Sequence, residues 1–377
     1  MSTNLRELLE EMVRQDASDM YITVDSPPMY RVEGVTSPWG EQKYSPEETE
    51  TMAMALMSET QKRYFIRRWE MNLSISYPNL GRFRVNILRQ RGYLGLVFRS
   101  IKIHIRTIED LGLPQTFKGL SMVKRGLVLV AGRTGSGKST TLASLIDHRN
   151  SNASGHIVTV EDPIEFVHNH KMSIVTQREV GIDTHGYASA LKHTLRQAPD
   201  VILIGEIRDL ETMEASIDYA ETGHLCLSTI HANNANQAIE RIMNFFPPER
   251  HRQIYLQLSL NLKAIISQRL VPSSDGTRVA AVELLLDTPR VKDLIHKGQV
   301  DLLKEAMAQG TGEGMQTFDQ SLFDLYRQGT IDFDTAIGYA DSANDLRLRI
   351  KMEEVGERKE GQELNLRLMP DTHARTR

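Results

Sequence analysis

The sequence has a single cysteine, Cys226, in 377 residues. One thiol makes neither an intrachain disulfide nor a cysteine-based zinc site, so a stapled extracellular scaffold and a zinc finger are both excluded and a reducing compartment is expected. Long apolar runs are missing too. No window approaches the roughly 18 uninterrupted apolar residues of a membrane-spanning helix, and the opening MSTNLRELLEEMVRQD puts acids where a signal peptide needs its apolar stretch. The expected location is therefore cytoplasmic. Charge of one sign is also lacking: 45 Lys and Arg against 49 Asp and Glu leave a formal charge of −4. No global field attracts a polyanion, and no stretch interleaves basic and aromatic residues for strand binding, so nucleic acid is not an expected partner. What is present is a globular composition, 40% hydrophobic and 25% charged with 13 Pro and 25 Gly, which excludes wholesale disorder and collagen-like structure. At this length two domains with connectors are expected rather than one core.

Leu5, Leu8, Leu9, Met12 and Val13 recur at helical spacing behind Ser2 and Thr3, which predicts an amphipathic helix from residue 3 to about 15. Short β-rich runs follow: MYITV (20–24), MYRVEG (29–34), LSISY (73–77), FRVNIL (83–88) and GLVFRSI (95–101), with one helix across 46–70 between them. These predict an α+β domain over residues 1–105. Residues 106–120, with Gly112, Pro114 and Gly119, read as the interdomain linker. From residue 127 the pattern changes to continuously apolar strands, LVLVA (127–131), IVTVE (157–161), VILI (201–204) and LCLSTI (225–230), separated by helical stretches. Such strands suit a sheet buried on both faces in an α/β fold. Beyond Pro247-Pro248 a mostly helical subregion is expected to about residue 350, with Ile254, Leu258, Leu262, Ile265 and Ile266 on one helix face. The second domain is thus placed at 121–350, and 351–377, with six basic and six acidic side chains and little apolar periodicity, as a charged flexible tail.

The strongest chemical signal is Gly132-Arg-Thr-Gly-Ser-Gly137-Lys138-Ser139, which follows an apolar strand and precedes the helical TTLASLIDH. That is the strand-loop-helix context of a phosphate-binding P-loop. Backbone N–H groups of Gly132, Thr134, Gly135, Ser136 and Gly137 are expected to cradle phosphate oxygens, with the helix N-terminus adding positive potential from Thr140 onward. Lys138 is placed to reach the β/γ-phosphates and Ser139 to ligate Mg²⁺. ATP and Mg²⁺ are therefore the expected cofactors.

VILIGEIRD (201–209) ends an apolar strand in an acid, and Glu206 is the candidate to orient the attacking water. An ordinary ion pair with Arg208 is the alternative for it. Gly205 stands where P-loop enzymes usually carry a metal-side Asp, so other carboxylates must serve the ion. Glu161, Asp162 and Glu165 in TVEDPIEF (159–166) supply them by holding metal-bound waters, unless they form only a solvated acidic loop. HLCLSTIH puts His224 and His231 at the two ends of one short strand, as a γ-phosphate sensor and a residue near the sheet's base, or as structural histidines. In the first domain Arg82, Arg84, Arg89, Arg91 and Arg99 offer bidentate phosphate contacts or a solvated basic strand face.

Together these motifs resemble a family, the secretion ATPases, and within it the type IV pilus retraction ATPases of the PilT/PilU group. The likeness is carried by ASDMYITVDSPPMYRVEG, GRFRVN, the P-loop, TVEDPIEFVH, TQREVG, LRQAPDVILIGEIRDLET, AETGHLCLSTIHANNANQAIERI and GMQTFDQSL. The resemblance implies a PAS-like N-terminal domain, a RecA-like ATPase domain with a helical C-terminal subregion, and a homo-hexameric ring with nucleotide sites between subunits. It implies that Lys138 and Ser139 belong to a Walker A motif, Glu161, Asp162 and Glu165 to an Asp box, Glu206 to an atypical Walker B motif, and His224 and His231 to a His box. Glu206, Glu161 and His231 are then the catalytic set, with Arg84 and Arg99 approaching the phosphates from the N-terminal domain.

Two departures place the chain on the PilU side of the group: RVKDLI (290–295), where PilT proteins carry AIRNLI, and the charged tail beyond SANDLRLRIK. Arg133 replaces a commoner Pro or Ala without touching the lysine and glycines of the loop. The resemblance implies an ATP-driven motor for pilus retraction and twitching motility, acting at the pilus base on the inner membrane. Its implied partners are a PilT-like retraction ATPase, on which its action depends, and an inner-membrane platform protein. An ATP-binding subunit that regulates a PilT-like motor with little hydrolysis of its own is the alternative. Assembly ATPases are disfavoured, because their four-cysteine zinc module cannot be built from one cysteine.

Overall fold

The computed structural model describes residues 5–353. The tail expected at 351–377 lies outside them except for 351–353, which continue a helix from residue 343. The chain forms two compact units, one gathering the chain up to Thr107 with Ala143–Glu206, the other Ile108–Leu142 with the chain from Ile207 onward.

The first unit contains an antiparallel six-stranded sheet of order β3-β2-β1-β6-β5-β4. Its strands are β1 (Asp19–Ile22), β2 (Met29–Val32), β3 (Val35–Pro38), β4 (Glu70–Tyr77), β5 (Gly81–Gln90) and β6 (Tyr93–Ile101). Along β5 the buried residues Phe83, Val85 and Ile87 alternate with the partly exposed Arg82, Arg84 and Asn86, the period of two that packs one sheet face and solvates the other. The inner face shares a core with Leu8, Leu9 and Met12 of α1 (Leu5–Arg14), whose Leu8 carbonyl accepts a 2.8 Å hydrogen bond from the Tyr30 hydroxyl.

The single helix expected across 46–70 is two helices, α2 (Pro46–Leu56) and α3 (Glu59–Arg68). Ser58 breaks the run, since its side chain accepts from the Gln61 N–H while the Gln61 side chain accepts from the Ser58 N–H. A reciprocal box of this kind starts a new helix. The same unit holds a parallel run of order β10-β8-β9, with β8 (Gly155–Glu161), β9 (Ser173–Glu179), β10 (Val201–Ile207) and the short α6 (Tyr187–Thr194).

The second unit carries strands in the order β13-β12-β7-β11, namely β7 (Gly126–Ala131), β11 (Leu225–Ile230), β12 (Leu262–Pro272) and β13 (Arg278–Leu286). β7 and β11 are buried at every residue, which is why both are legible as continuous apolar runs. α4 (Thr116–Met122) begins inside the stretch expected as linker and runs two residues beyond it, and α5 (Lys138–Asn152) follows β7. Besides the helix that starts at residue 343, later helices among the described residues include α7 (Leu210–Glu221), α8 (Ala235–Asn244), α9 (His251–Asn261), α10 (Pro289–His296), α11 (Leu303–Gln309), α12 (Phe318–Arg327) and α13 (Phe333–Tyr339). The helical reading past Pro248 is corrected here. Leu262, Ile265 and Ile266 belong to β12, and helices resume only at Pro289. The fold class itself stands: a PAS-like α+β domain and a RecA-like P-loop α/β domain whose last described elements are helices.

Candidate active site

β7 lies parallel to β11 on one side and to β12 on the other, with Ala131 opposite Ile230 and Ser267. The chain therefore leaves β7 at Gly132 on the carboxyl edge of parallel strands, where open α/β sheets place their ligands. α5 begins at Lys138, so residues 132–137 form a loop closed by a helix N-terminus, the end of a helix that attracts anions. Gly137 has φ +89°, and a Cβ there would stand 2.8 Å from Gln268 Nε2. Only glycine fits. Lys138 Nζ donates to the carbonyls of Gly132 at 2.9 Å and Arg133 at 3.0 Å, which holds the ammonium over the loop. Thr134, Gly135 and Ser139 are exposed, and Thr140 is partly so. Ser136 is buried.

His231 follows β11 directly and, with Gly132, Thr134, Asn233 and Gln237, lines a cavity of about 500 Å³. His224 precedes the same strand. Its carbonyl accepts from Gly126 N–H at 3.0 Å and its Nδ1 lies 3.1 Å from Thr222 Oγ1. The two histidines flank β11 as the spacing requires, one at each end of the strand. Leu225 pairs with Gly126 and Ile230 with Ala131, so a strand of about 20 Å lies between His224 and the loop.

The expected acids gather at the carboxyl ends of the first unit's parallel strands. Ile204 is opposite Val160 and Glu161 opposite Glu179, which brings Glu206, Glu161 and Glu179 to one edge. The register also explains Gly205. A Cβ there would stand 3.2 Å from the Glu161 Cα and 3.2 Å from the Tyr187 hydroxyl, so the usual Asp would crowd both. Glu161 accepts from Thr159 Oγ1 at 2.6 Å and Gln177 Nε2 at 3.2 Å. Burial still pushes its carboxyl up to about 7, and the neighbouring charge of Glu165 adds to the shift. Asp162 and Glu165 are exposed.

Arg84 and Arg99 are cross-strand partners on β5 and β6, and Arg99 is opposite Asp19 on β1. Arg99 Nε donates to Asp19 Oδ1 at 2.8 Å, which raises the guanidinium's pKa against the opposing effect of burial. Arg84 acts electrostatically on Glu179, a carboxylate only 1% exposed whose Oε2 lies 3.7 Å from Arg82. Sequence reasoning misses Glu179 and the supports Thr159 and Gln177. Glu179 sits inside TQREVG without spacing of its own, and the other two are uncharged residues that only register brings to Glu161.

By their chemistry the expected donors, the Ser139 hydroxyl in the second unit and the carboxylates of Glu161, Asp162 and Glu165 in the first, are all oxygens, the class that Mg²⁺ takes while keeping several waters. Among the described residues no group of three or more His, Cys, Asp and Glu is placed to hold a metal, so a closed protein cage is not the arrangement.

Residues 2–311 match the Type II/IV secretion system protein family. The chain belongs to this family. A type IV pilus ATPase of Pseudomonas aeruginosa, PilU, is 53% identical over 347 residues, 92% of this chain and 91% of that protein. The type IV pilus retraction ATPase PilT of the same organism is 41% identical over 333 residues, 88% of this chain and 97% of its own. Among solved structures, the pilus retraction motor PilT with bound ADP superimposes with a TM-score of 0.85 at 40% identity, covering 92% of this chain and 99% of that one. This secretion-family chain is therefore an ATPase of the PilT/PilU group, and among the described residues no helix is long and apolar enough to cross a membrane.

Proposed function

We propose that the chain is the subunit of a hexameric ring that hydrolyses ATP to power type IV pilus retraction and twitching motility, as an accessory ATPase acting with a PilT-like motor. The observation that carries this reading is a complete phosphate loop, with Lys138 held over its mouth, in a chain so similar to PilU. Lys138 contacts the β/γ-phosphates and the loop N–H groups neutralise them. Glu206 orients the attacking water, and Glu161, with a carboxyl that titrates near neutrality, accepts its proton. His231 reads the γ-phosphate from the cavity wall. Ser139 would hold Mg²⁺, and Glu161, Asp162 and Glu165 would hold its waters; when bound, the ion would supply neutralisation of phosphate charge.

Arg84 and Arg99 of the domain at 1–105 deliver positive charge to a nucleotide between subunits. Residues 106–120 act as the hinge through which hydrolysis moves that domain against the ATPase domain at 121–350. The ring works at the cytoplasmic face of the inner membrane through the platform protein. In cells lacking the native protein, a Lys138→Ala chain should assemble with its PilT-like partner yet fail to restore retraction. Normal retraction by that variant would refute the motor reading, and lost retraction only when association is also lost would favour the regulatory-subunit alternative.

A further inference from the structure

We propose that Gln268 is a positioning residue of the nucleotide site, a brace on β12 that holds the phosphate loop in its phosphate-accepting shape. The proposal rests on the nucleotide reading of that loop. Gln268 is 4% exposed. It directly follows Ser267, the partner of Ala131, so it stands beside the point where the chain leaves β7. Three of its groups meet the two ends of the loop and the helix that closes it. Its backbone oxygen is 2.8 Å from where a Cβ on Gly132 would lie, and its Nε2 is 2.8 Å from where one on Gly137 would lie. Its Oε1 accepts a 2.6 Å hydrogen bond from Thr141 Oγ1 in the first turn of α5, a residue itself 1% exposed.

The strand end, the loop and the helix start thus meet one residue, the last two through its side chain. A loop that binds through several backbone N–H groups gains affinity when those groups are held in place beforehand. The Thr141 bond also orients the amide, since the oxygen is committed to the hydroxyl and the nitrogen is left against Gly137. An apolar side chain would fill the space but leave the Thr141 hydroxyl buried without that acceptor.

The test is titration of the full-length variants with a fluorescent ATP analogue, beside steady-state hydrolysis. Gln268→Met keeps the volume and removes the amide, and Thr141→Val keeps the shape and removes the hydroxyl. Each should weaken nucleotide binding and raise KM about tenfold, the size of one lost buried hydrogen bond, with kcat changed less than about threefold. Because both act on the same bond, the double variant should bind no more weakly than the worse single one. Gln268→Glu keeps an acceptor for Thr141 but sets a carboxylate beside the phosphates, so its defect should deepen as salt is lowered.

Parent-like affinity in Gln268→Met, or losses that add in the double variant, would overturn the proposal. If Gln268→Met does not fold by circular dichroism, Thr141→Val and Gln268→Glu decide by the same criteria. Binding by the parent that Lys138→Ala abolishes keeps the nucleotide reading while the Gln268 arms are judged alone. No binding by the parent overturns that reading and this proposal with it.

Discussion

Replacing Glu161 by Gln should make the protein more stable at pH 8 and leave it unchanged at pH 4. In the unfolded chain the carboxyl titrates near its ordinary value of 4.5, and in the folded chain burial moves it to about 7. The native state therefore holds its proton longer. The stabilising contribution is fully present below about pH 4.5 and is lost as pH rises through 7, where the folded state must bury an anion. The separation of the two values corresponds to about 3 kcal/mol, an upper bound because the side chain keeps some contact with water. Gln retains an oxygen for the Thr159 and Gln177 donors, so the variant isolates the charge. Urea unfolding at pH 5, 6, 7 and 8 should show a difference that grows with pH and levels off above 7, and turnover by the Glu161→Gln variant should lose the rise through pH 7 expected of the parent. Parallel stability profiles, or a variant less stable at pH 8, would refute the placement of Glu161 as a shielded carboxyl.

Gly205→Asp, which restores the acid usual in P-loop enzymes, should lower stability by about 1–3 kcal/mol without raising turnover, because its Cβ meets the Glu161 backbone at 3.2 Å; thermal melts and hydrolysis assays check both. Ser58→Ala removes the cap that starts α3 and should cost about 1 kcal/mol in chemical denaturation, with no change in nucleotide affinity.

The parts of the molecule legible in the sequence are those where local and tertiary demands agree. β11 is legible with its bounds because all six residues from Leu225 to Ile230 are apolar or small and buried. The phosphate loop is legible because its glycines, lysine and flanking elements are specified locally. β12 reads wrongly as helix because Leu262, Ile265 and Ile266 suit a helix face as well as a buried strand, and only pairing with β7 and β13 decides. β13, RVAAVELLL, is rich in helix formers and is held extended by that same pairing. At the site, Glu161 and Glu206 are legible as acids ending strands. The elevated carboxyl of Glu161, the closed space at Gly205 and the brace at Gln268 are not, because each depends on which strand lies alongside.

Mg²⁺-dependent ATP hydrolysis by the purified protein, beside Lys138→Ala and Glu206→Ala, tests the central claim most directly, with ring formation followed by light scattering and a PilT-like partner added in a parallel series. The account predicts turnover by the parent, alone or with that partner, and none above background from the added chain in either variant. Rings of the parent that bind nucleotide yet hydrolyse no more than Lys138→Ala in both series would contradict it.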